Sequence, residues 1–191
     1  MKKLTRADIR GPALYAGFRD DLRKHVIALK KKRRVAVGPS ITVLFENRAT
    51  VISQIEEMCR AEGLTTPEQI QGELDVYNQL LPDAGELGAT LFVEINDEAL
   101  IKSTLDQLVG LDQHVWIEIG DERLPARFDL GQYATDKLAA VQYLRFPLSP
   151  TAQAALRETG ARVLVRIDHP HYHYETALAE ETRAELVNDL D

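Results

Sequence analysis

Apolar residues recur along this chain at two spacings, and the changes of spacing fall beside recognisable helix starts and stops. Over residues 12–34, Phe18, Leu22, Val26 and Leu29 lie at steps of three and four, which predicts a helix with one apolar stripe. Its last turns, Lys30 to Arg34, place positive charge at the negative end of the helix dipole. A two-step alternation follows: Ile41, Val43 and Phe45 on one strand face, Thr42, Leu44 and Glu46 on the other. Asn47 then caps a second helix carrying Val51, Ile55, Met58 and Cys59 on one side, with Gly63 after its end. Thr66-Pro67-Glu68-Gln69 forms a capping box with proline at the first helical position. The helix it opens has Ile70, Leu74, Tyr77 and Leu81 on one face and stops at Pro82. The short link between these two helices predicts an antiparallel helical hairpin.

The second half alternates instead. Ala89, Leu91, Val93 and Ile95 define a strand, and Asn96 or Asp97 caps a short helix that ends at Gly110. His114–Ile119 and Arg123–Phe128 read as two strands joined by a turn near Gly120-Asp121. A strand over 139–148 leads to a helix capped by Ser149 with Pro150 at its start. Arg162–Ile167 is a further strand, Tyr172–Ala177 an optional one, and a helix near Leu186 and Leu190 closes the chain. Strands follow strands after short links, which predicts an α+β fold with an antiparallel or mixed sheet rather than a doubly wound parallel one. The expectation is a single α+β domain over residues 1–191, with residues 1–34 as a basic helical arm packed on or beside it.

Charge sharpens that division. Residues 1–34 hold 12 Lys/Arg against 3 Asp/Glu, and the rest holds 11 against 27, a balance of +9 beside −16. A basic arm on an acidic body suggests intramolecular docking, a subunit contact or an acidic partner. An acidic body repels phosphate backbones, so nucleic-acid binding is not expected. No apolar run reaches the roughly 20 residues of a membrane span, and no apolar stretch follows the basic start as in a secretory signal. One cysteine, Cys59, cannot form an internal disulfide, and a cytoplasmic location is expected. Cys59 shares the apolar stripe with Ile55, so it reads as a buried thiol rather than a nucleophile.

Candidate chemistry is sparse. There is no phosphate loop, no dinucleotide fingerprint and no nucleophile elbow, and Trp116 has no basic–aromatic platform around it for single-stranded nucleic acid. Glu46-Asn47-Arg48 stands where a strand opens into a helix: a cap with a local ion pair, or a grip for a polar ligand. Gln54 and Glu57 on the second helix, and Gln71, Asp75 and Asn78 on the third, form polar stripes that read as solvated faces, or as a network if they face each other. Asp168-His169-Pro170-His171-Tyr172-His173 holds three of five histidines. On an extended strand His169, His171 and His173 would share a face and could hold a metal; with Pro170 starting a turn they are a polar turn, which is the expectation.

The blocks RRVAVGPSITVLFENRATVISQIEEMCRAEGL at 33–64, QGELDVYNQLLP at 71–82, GELGATLFVEI at 85–95, LRFPL at 144–148 and RIDHPHY at 166–172 resemble, in this order, the DUF3501 family of bacterial proteins. The resemblance spans nearly the whole chain. It implies a gene context with rubrerythrin-like and iron–sulfur proteins, and hence a redox or iron-handling partner. The family pattern commonly carries histidines where this chain has Gly72 and Gln142, so a metal role implied by the resemblance is in doubt and no stoichiometric metal is expected.

The leading expectation is a non-catalytic binding or accessory protein, a homo-oligomer, serving such a partner. Its ligand candidates are Glu46, Asn47, Arg48, Asp75, Asn78, Asp168 and His169, and no cofactor is assigned. The rival is a small enzyme, metal-dependent or not, with Glu46, Arg48, Asp168 and His169 converging on one pocket.

Overall fold

The computed structural model describes residues 1–128 and 138–190. In chain order the elements are α1 (Pro12–Arg33), β1 (Arg34–Val37), β2 (Ile41–Glu46), α2 (Arg48–Glu62), α3 (Pro67–Tyr77), β3 (Glu86–Val93), α4 (Ile101–Gln107), β4 (Val115–Ile119), β5 (Glu122–Pro125), β6 (Arg127–Phe128), β7 (Val141–Pro147), α5 (Pro150–Arg157), β8 (Val163–His169), β9 (Tyr172–Ala177) and α6 (Glu180–Val187). Short 3₁₀ turns link several of them. The strands form two antiparallel sheets, ordered β1-β2-β3-β7-β6 and β5-β4-β8-β9, so the fold is α+β.

All six residues of β2 are buried, because both of its faces are covered. Ile41, Val43 and Phe45 meet Leu91, Ile117 and Val165 in a core between the two sheets. Thr42, Leu44 and Glu46 face the other way. The 123–128 stretch, expected as one strand, is divided at Ala126, whose N–H donates to Val115 O at 2.9 Å. There the chain leaves one sheet (β5) and joins the other (β6). On the opposite side Tyr172 Oη accepts from the Ser40 and Ile41 N–H groups, each at 3.0 Å, and donates to Val37 O at 2.7 Å. Thr176 Oγ1 adds a bond to Ala36 O at 2.8 Å. The backbone comes so close that a Cβ on Gly38, at φ 75°, would stand 2.5 Å from Tyr174 Cγ. The sheets therefore meet at both sides, which covers edges that would otherwise be open to pairing.

Helices pack on the outer face of the larger sheet. Asn47 Oδ1 accepts from Thr50 N–H at 3.0 Å and Thr66 Oγ1 from Gln69 N–H at 3.3 Å, so the two caps read from the sequence start α2 and α3. Ile55, Cys59, Ile70, Leu74 and Leu81 form a second core there. Burial pushes the Cys59 thiol up, as suits a packed rather than a reactive sulfur.

α1 departs from its expected stripe. The departure is at Phe18, which is 60% exposed; Val26 of that stripe is buried and Leu22 and Leu29 are half-buried, and the inward line is completed by Tyr15 and Arg33. Polar contacts set the rotation of this helix. Tyr15 Oη and Arg19 Nε donate to Glu57 Oε1 at 2.7 and 2.8 Å, and Arg10 N–H and Gly11 N–H donate to the buried Glu56 carboxylate at 2.6 and 3.1 Å. Of the polar stripe of α2, Glu57 thus turns to α1 and Gln54 to Glu46 on β2, neither to α3. The basic end of α1 lies on acidic groups of the same chain: Lys32 pairs with Glu181 at 3.1 Å, Arg34 with Glu94 at 3.0 Å, and Arg33 with Glu185 and Asp189. Among the described residues no helix is long and apolar enough to cross a membrane.

Two outcomes are expected from this packing. Leu74→Ala removes a fully buried side chain and lowers unfolding stability by about 2–5 kcal/mol, read from denaturant midpoints. Glu57, held by Arg19 and Tyr15, has its carboxyl pulled from the usual 4.5 to about 2. A depressed carboxyl contributes stability above its unfolded value and loses it as pH falls through its folded one. Stability should therefore fall between pH 4.5 and about 2, and Glu57→Gln should flatten that limb.

Candidate functional site

The helix-facing side of the larger sheet carries two cross-strand rows. Glu46 lies opposite Gly88, Gly88 opposite Arg145, and Arg145 opposite Arg127. The neighbouring row is Leu44, Thr90 and Tyr143. The chain leaving α3 crosses directly over Gly88: a Cβ there would be 2.6 Å from Leu80 O and 3.0 Å from Pro82 Cδ. Only glycine lets the crossing lie this low. Beside it opens a groove of about 320 Å³, lined by Val76, Tyr77, Gln79, Leu80, Ala89, Arg127, Phe128, Tyr143, Leu144 and Arg145.

Its electrostatics are unbalanced. Arg145 donates to Gln79 O at 2.6 Å and pairs with Asp83 at 3.2 Å and Glu86 at 3.5 Å. Arg127, directly opposite, has no ion-pair partner among the described residues. Like charges facing each other across strands oppose pairing, and Arg127 is the exposed member of this pair. Burial pushes the Tyr77 and Tyr143 phenols up, with the charge of Glu73 adding at the first and Glu46 at the second. Both stay protonated at neutral pH and are O–H donors. Neither hydroxyl has a hydrogen-bond partner among the described residues. Two guanidinium groups, two free phenols and the apolar Val76, Leu80 and Phe128 suit a small anion with an apolar body.

Glu46 closes the inner end of the same row. Its carboxylate is buried and accepts from Thr50 Oγ1 at 2.5 Å, Thr90 Oγ1 at 2.7 Å and Gln54 Nε2 at 3.3 Å. Among the described residues no Lys, Arg or His pairs with it. Three neutral donors therefore satisfy this charge, and it sets the field under Tyr143.

The other expected residues do not gather around it. Asn47 is occupied as the cap of α2. Arg48 turns away to Asp8 at 2.6 Å and to the carbonyls of Lys2 and Lys3, strapping down the N-terminal segment. Asn78 does similar work, accepting from Leu4 N–H at 2.7 Å and donating to Leu4 O at 2.9 Å. The Asp75 carboxylate accepts from Gln71 of its own helix at 2.7 Å, on the exposed side of α3.

Asp168 and His169 belong to the smaller sheet. Hydrogen bonds from Arg123 at 3.2 Å and from His173 at 2.8 Å hold the Asp168 carboxyl below its usual range. His169 is buried: Nε2 meets Val109 O at 3.1 Å and Nδ1 accepts from His171 N–H at 3.2 Å. With Nε2–H donating and Nδ1 accepting, no lone pair remains for a metal, and burial lowers its pKa. His171 lies in the Pro170–His171 turn between β8 and β9, so the three histidines do not share one strand face. Among the described residues no group of three His, Cys, Asp or Glu could hold a metal ion. Gly72 and Gln142 are also far apart in setting: Gly72 on α3, Gln142 buried and bonded to Ala139 O at 3.0 Å.

Sequence reading placed Tyr77 only on an apolar face and passed over Arg127, Tyr143 and Arg145. Alternation along 139–148 puts Tyr143 and Arg145 on one strand face, but Arg127 joins them only through strand pairing.

The fold and sequence have known counterparts. A crystal structure of a novel protein of unknown function from Burkholderia pseudomallei K96243 is 35% identical, with 100% of each chain covered and a TM-score of 0.94. No curated protein matches. The DUF3501 family, described as a protein of unknown function, matches residues 3–190. This chain is a member of the DUF3501 family.

Proposed function

We propose that this protein is a non-catalytic binding protein that holds a small organic anion in the groove between Tyr77, Tyr143, Arg127 and Arg145. One observation carries the reading: two arginines face each other across strands β6 and β7, and one of them lacks a counter-charge among the described residues. A carboxylate between them would offset the repulsion and accept from both forks. The protonated phenols supply further donors, and Val76, Leu80 and Phe128 hold the apolar remainder.

The positions of the rival's residues support the non-catalytic choice. An enzyme built on Glu46, Arg48, Asp168 and His169 needs them at one concave point. Here Glu46 lies under α2, Arg48 faces Asp8, and Asp168 and His169 stand on the other sheet. The ion pairs of Lys32, Arg33 and Arg34 with acidic residues of their own chain support leaving nucleic acid out. An accessory role beside a redox or iron–sulfur partner rests on the family resemblance alone.

Calorimetry and thermal unfolding with benzoate, phenylacetate and hexanoate, each against its neutral amide, test the groove. The carboxylates should raise Tm and the amides should not. Arg127→Gln should abolish the ligand-dependent rise while leaving unliganded Tm unchanged or slightly higher, since it removes a like-charge pair. Tyr77→Phe with Tyr143→Phe should weaken binding by about tenfold, the loss of one or two hydrogen bonds. Carboxylate binding that survives Arg127→Gln undiminished, or no carboxylate response at all, would sink the proposal.

A further inference from the structure

α1 has 22 residues, about 33 Å of helix at 1.5 Å per residue, yet only Tyr15, Val26 and Arg33 are buried. A helix of this length on a globular body normally buries a continuous apolar stripe. Leu14 and Phe18, 64% and 60% exposed, lie one turn apart on its uncovered side. Beside them, between α1 and α2, is a cavity of about 180 Å³ whose walls include Tyr15, Leu22, His25, Val26, Ala49 and Ile52. A projecting aromatic ring and an apolar hole thus sit on one helix face, about one turn from each other. That is the requirement of an isologous contact, in which each subunit gives a knob and receives one on the same patch.

The charges choose the orientation. Asp21 and Lys24 flank the patch and form an exposed pair within the helix at 3.7 Å. A parallel pairing would set Asp21 against Asp21 and Lys24 against Lys24. An antiparallel pairing about an axis between Leu22 and Arg23 sets Asp21 beside the partner's Lys24. The same axis lays Phe18 over the helical turn that contains the partner's Val26, where the cavity opens.

We infer that α1 is a self-association surface: two copies of this chain pair their α1 helices antiparallel, each Phe18 entering the cavity formed by Leu22, His25, Val26 and Ile52 of the other. The occupant is a second copy because ring, hole and complementary charges all lie on one patch. The surface is separate from the anion groove, which α3, β6 and β7 build, so either can fail without the other.

Sedimentation equilibrium of the full chain tests it. Wild type should have the mass of two chains in the micromolar range. Phe18→Glu should weaken association by about 100-fold or more, as loss of a central aromatic anchor does, with unchanged far-UV circular dichroism because the side chain is solvent-exposed in one copy. Asp21→Lys and Lys24→Glu should each weaken association, by about tenfold through the new like-charge contacts. The double variant Asp21→Lys/Lys24→Glu should restore it. That rescue separates a paired interface from a general loss of fold. A wild type monomeric up to about 100 µM, where a Kd of ~10 µM would show mostly dimer, overturns the inference. A dimer indifferent to Phe18→Glu and to both single charge variants overturns it equally.

Discussion

Arg33 is fully buried where the last turn of α1, the end of β2 and the C-terminal residues after α6 come together. Its Nε donates to Phe45 O at 2.9 Å and its Nη2 to Glu46 O at 3.3 Å, while Glu185 and Asp189 supply the countercharge. A guanidinium cannot shed its proton, so removing it from water requires partners on every side. Those partners come from two stretches of chain far from Arg33 in sequence, and all three stay together because the charge cannot be left alone. Burial pushes the Asp189 carboxyl up to about 6 even against the pull of Arg33. The backbone at 45–46, gripped in this way, aims the Glu46 carboxylate at Thr50 and Thr90. From that point the row runs outward through Gly88 to the two arginines.

The two sheets settle their charges differently, and the contrast singles out the groove. On the outer face of the smaller sheet, Arg166 bridges Glu118 at 2.7 Å and Glu175 at 2.6 Å. Arg123 reaches Asp168 at 3.2 Å and lies over the Trp116 ring at 4.4 Å. Such exposed pairs contribute little stability individually, but they leave no demand for an outside anion. The Arg123 guanidinium thus covers one face of the half-buried Trp116 ring. Arg127 and Arg145 have the opposite balance, with one guanidinium compensated and the other not.

The histidines of the smaller sheet are likewise held by polar groups of their own chain. His169 uses one ring nitrogen as donor and the other as acceptor, and His114 stands edge-on to it with ring centroids 5.0 Å apart. His173 pairs with Asp168. His169 holds the β8–β9 turn to the loop at Val109, and His114 Nδ1 meets Asp168 O at 2.7 Å.

How much of this was legible depended on the range of the interaction. Asn47, Gly63, Thr66 and Ser149 mark helix ends because a cap acts within three or four residues, and those helices begin or end where the residues say. Two-step alternation likewise marked β2, β3 and β7, and with them the α+β class. The buried side of α1 was legible only in part: Val26 is buried as its stripe implies, but the inward line also includes Tyr15 and Arg33, chosen by Glu57 and by the carbonyls of β2, and no apolar period reports a polar partner. The groove was not legible. Glu46 finds its Thr90 donor 44 residues away, and Arg127 meets Arg145 only because the chain changes sheets at Ala126. Alternation tells which residues share a face of one strand; it carries no information on which strand lies opposite, or in what register. Those are decided when distant segments pack, and that packing alone creates the site.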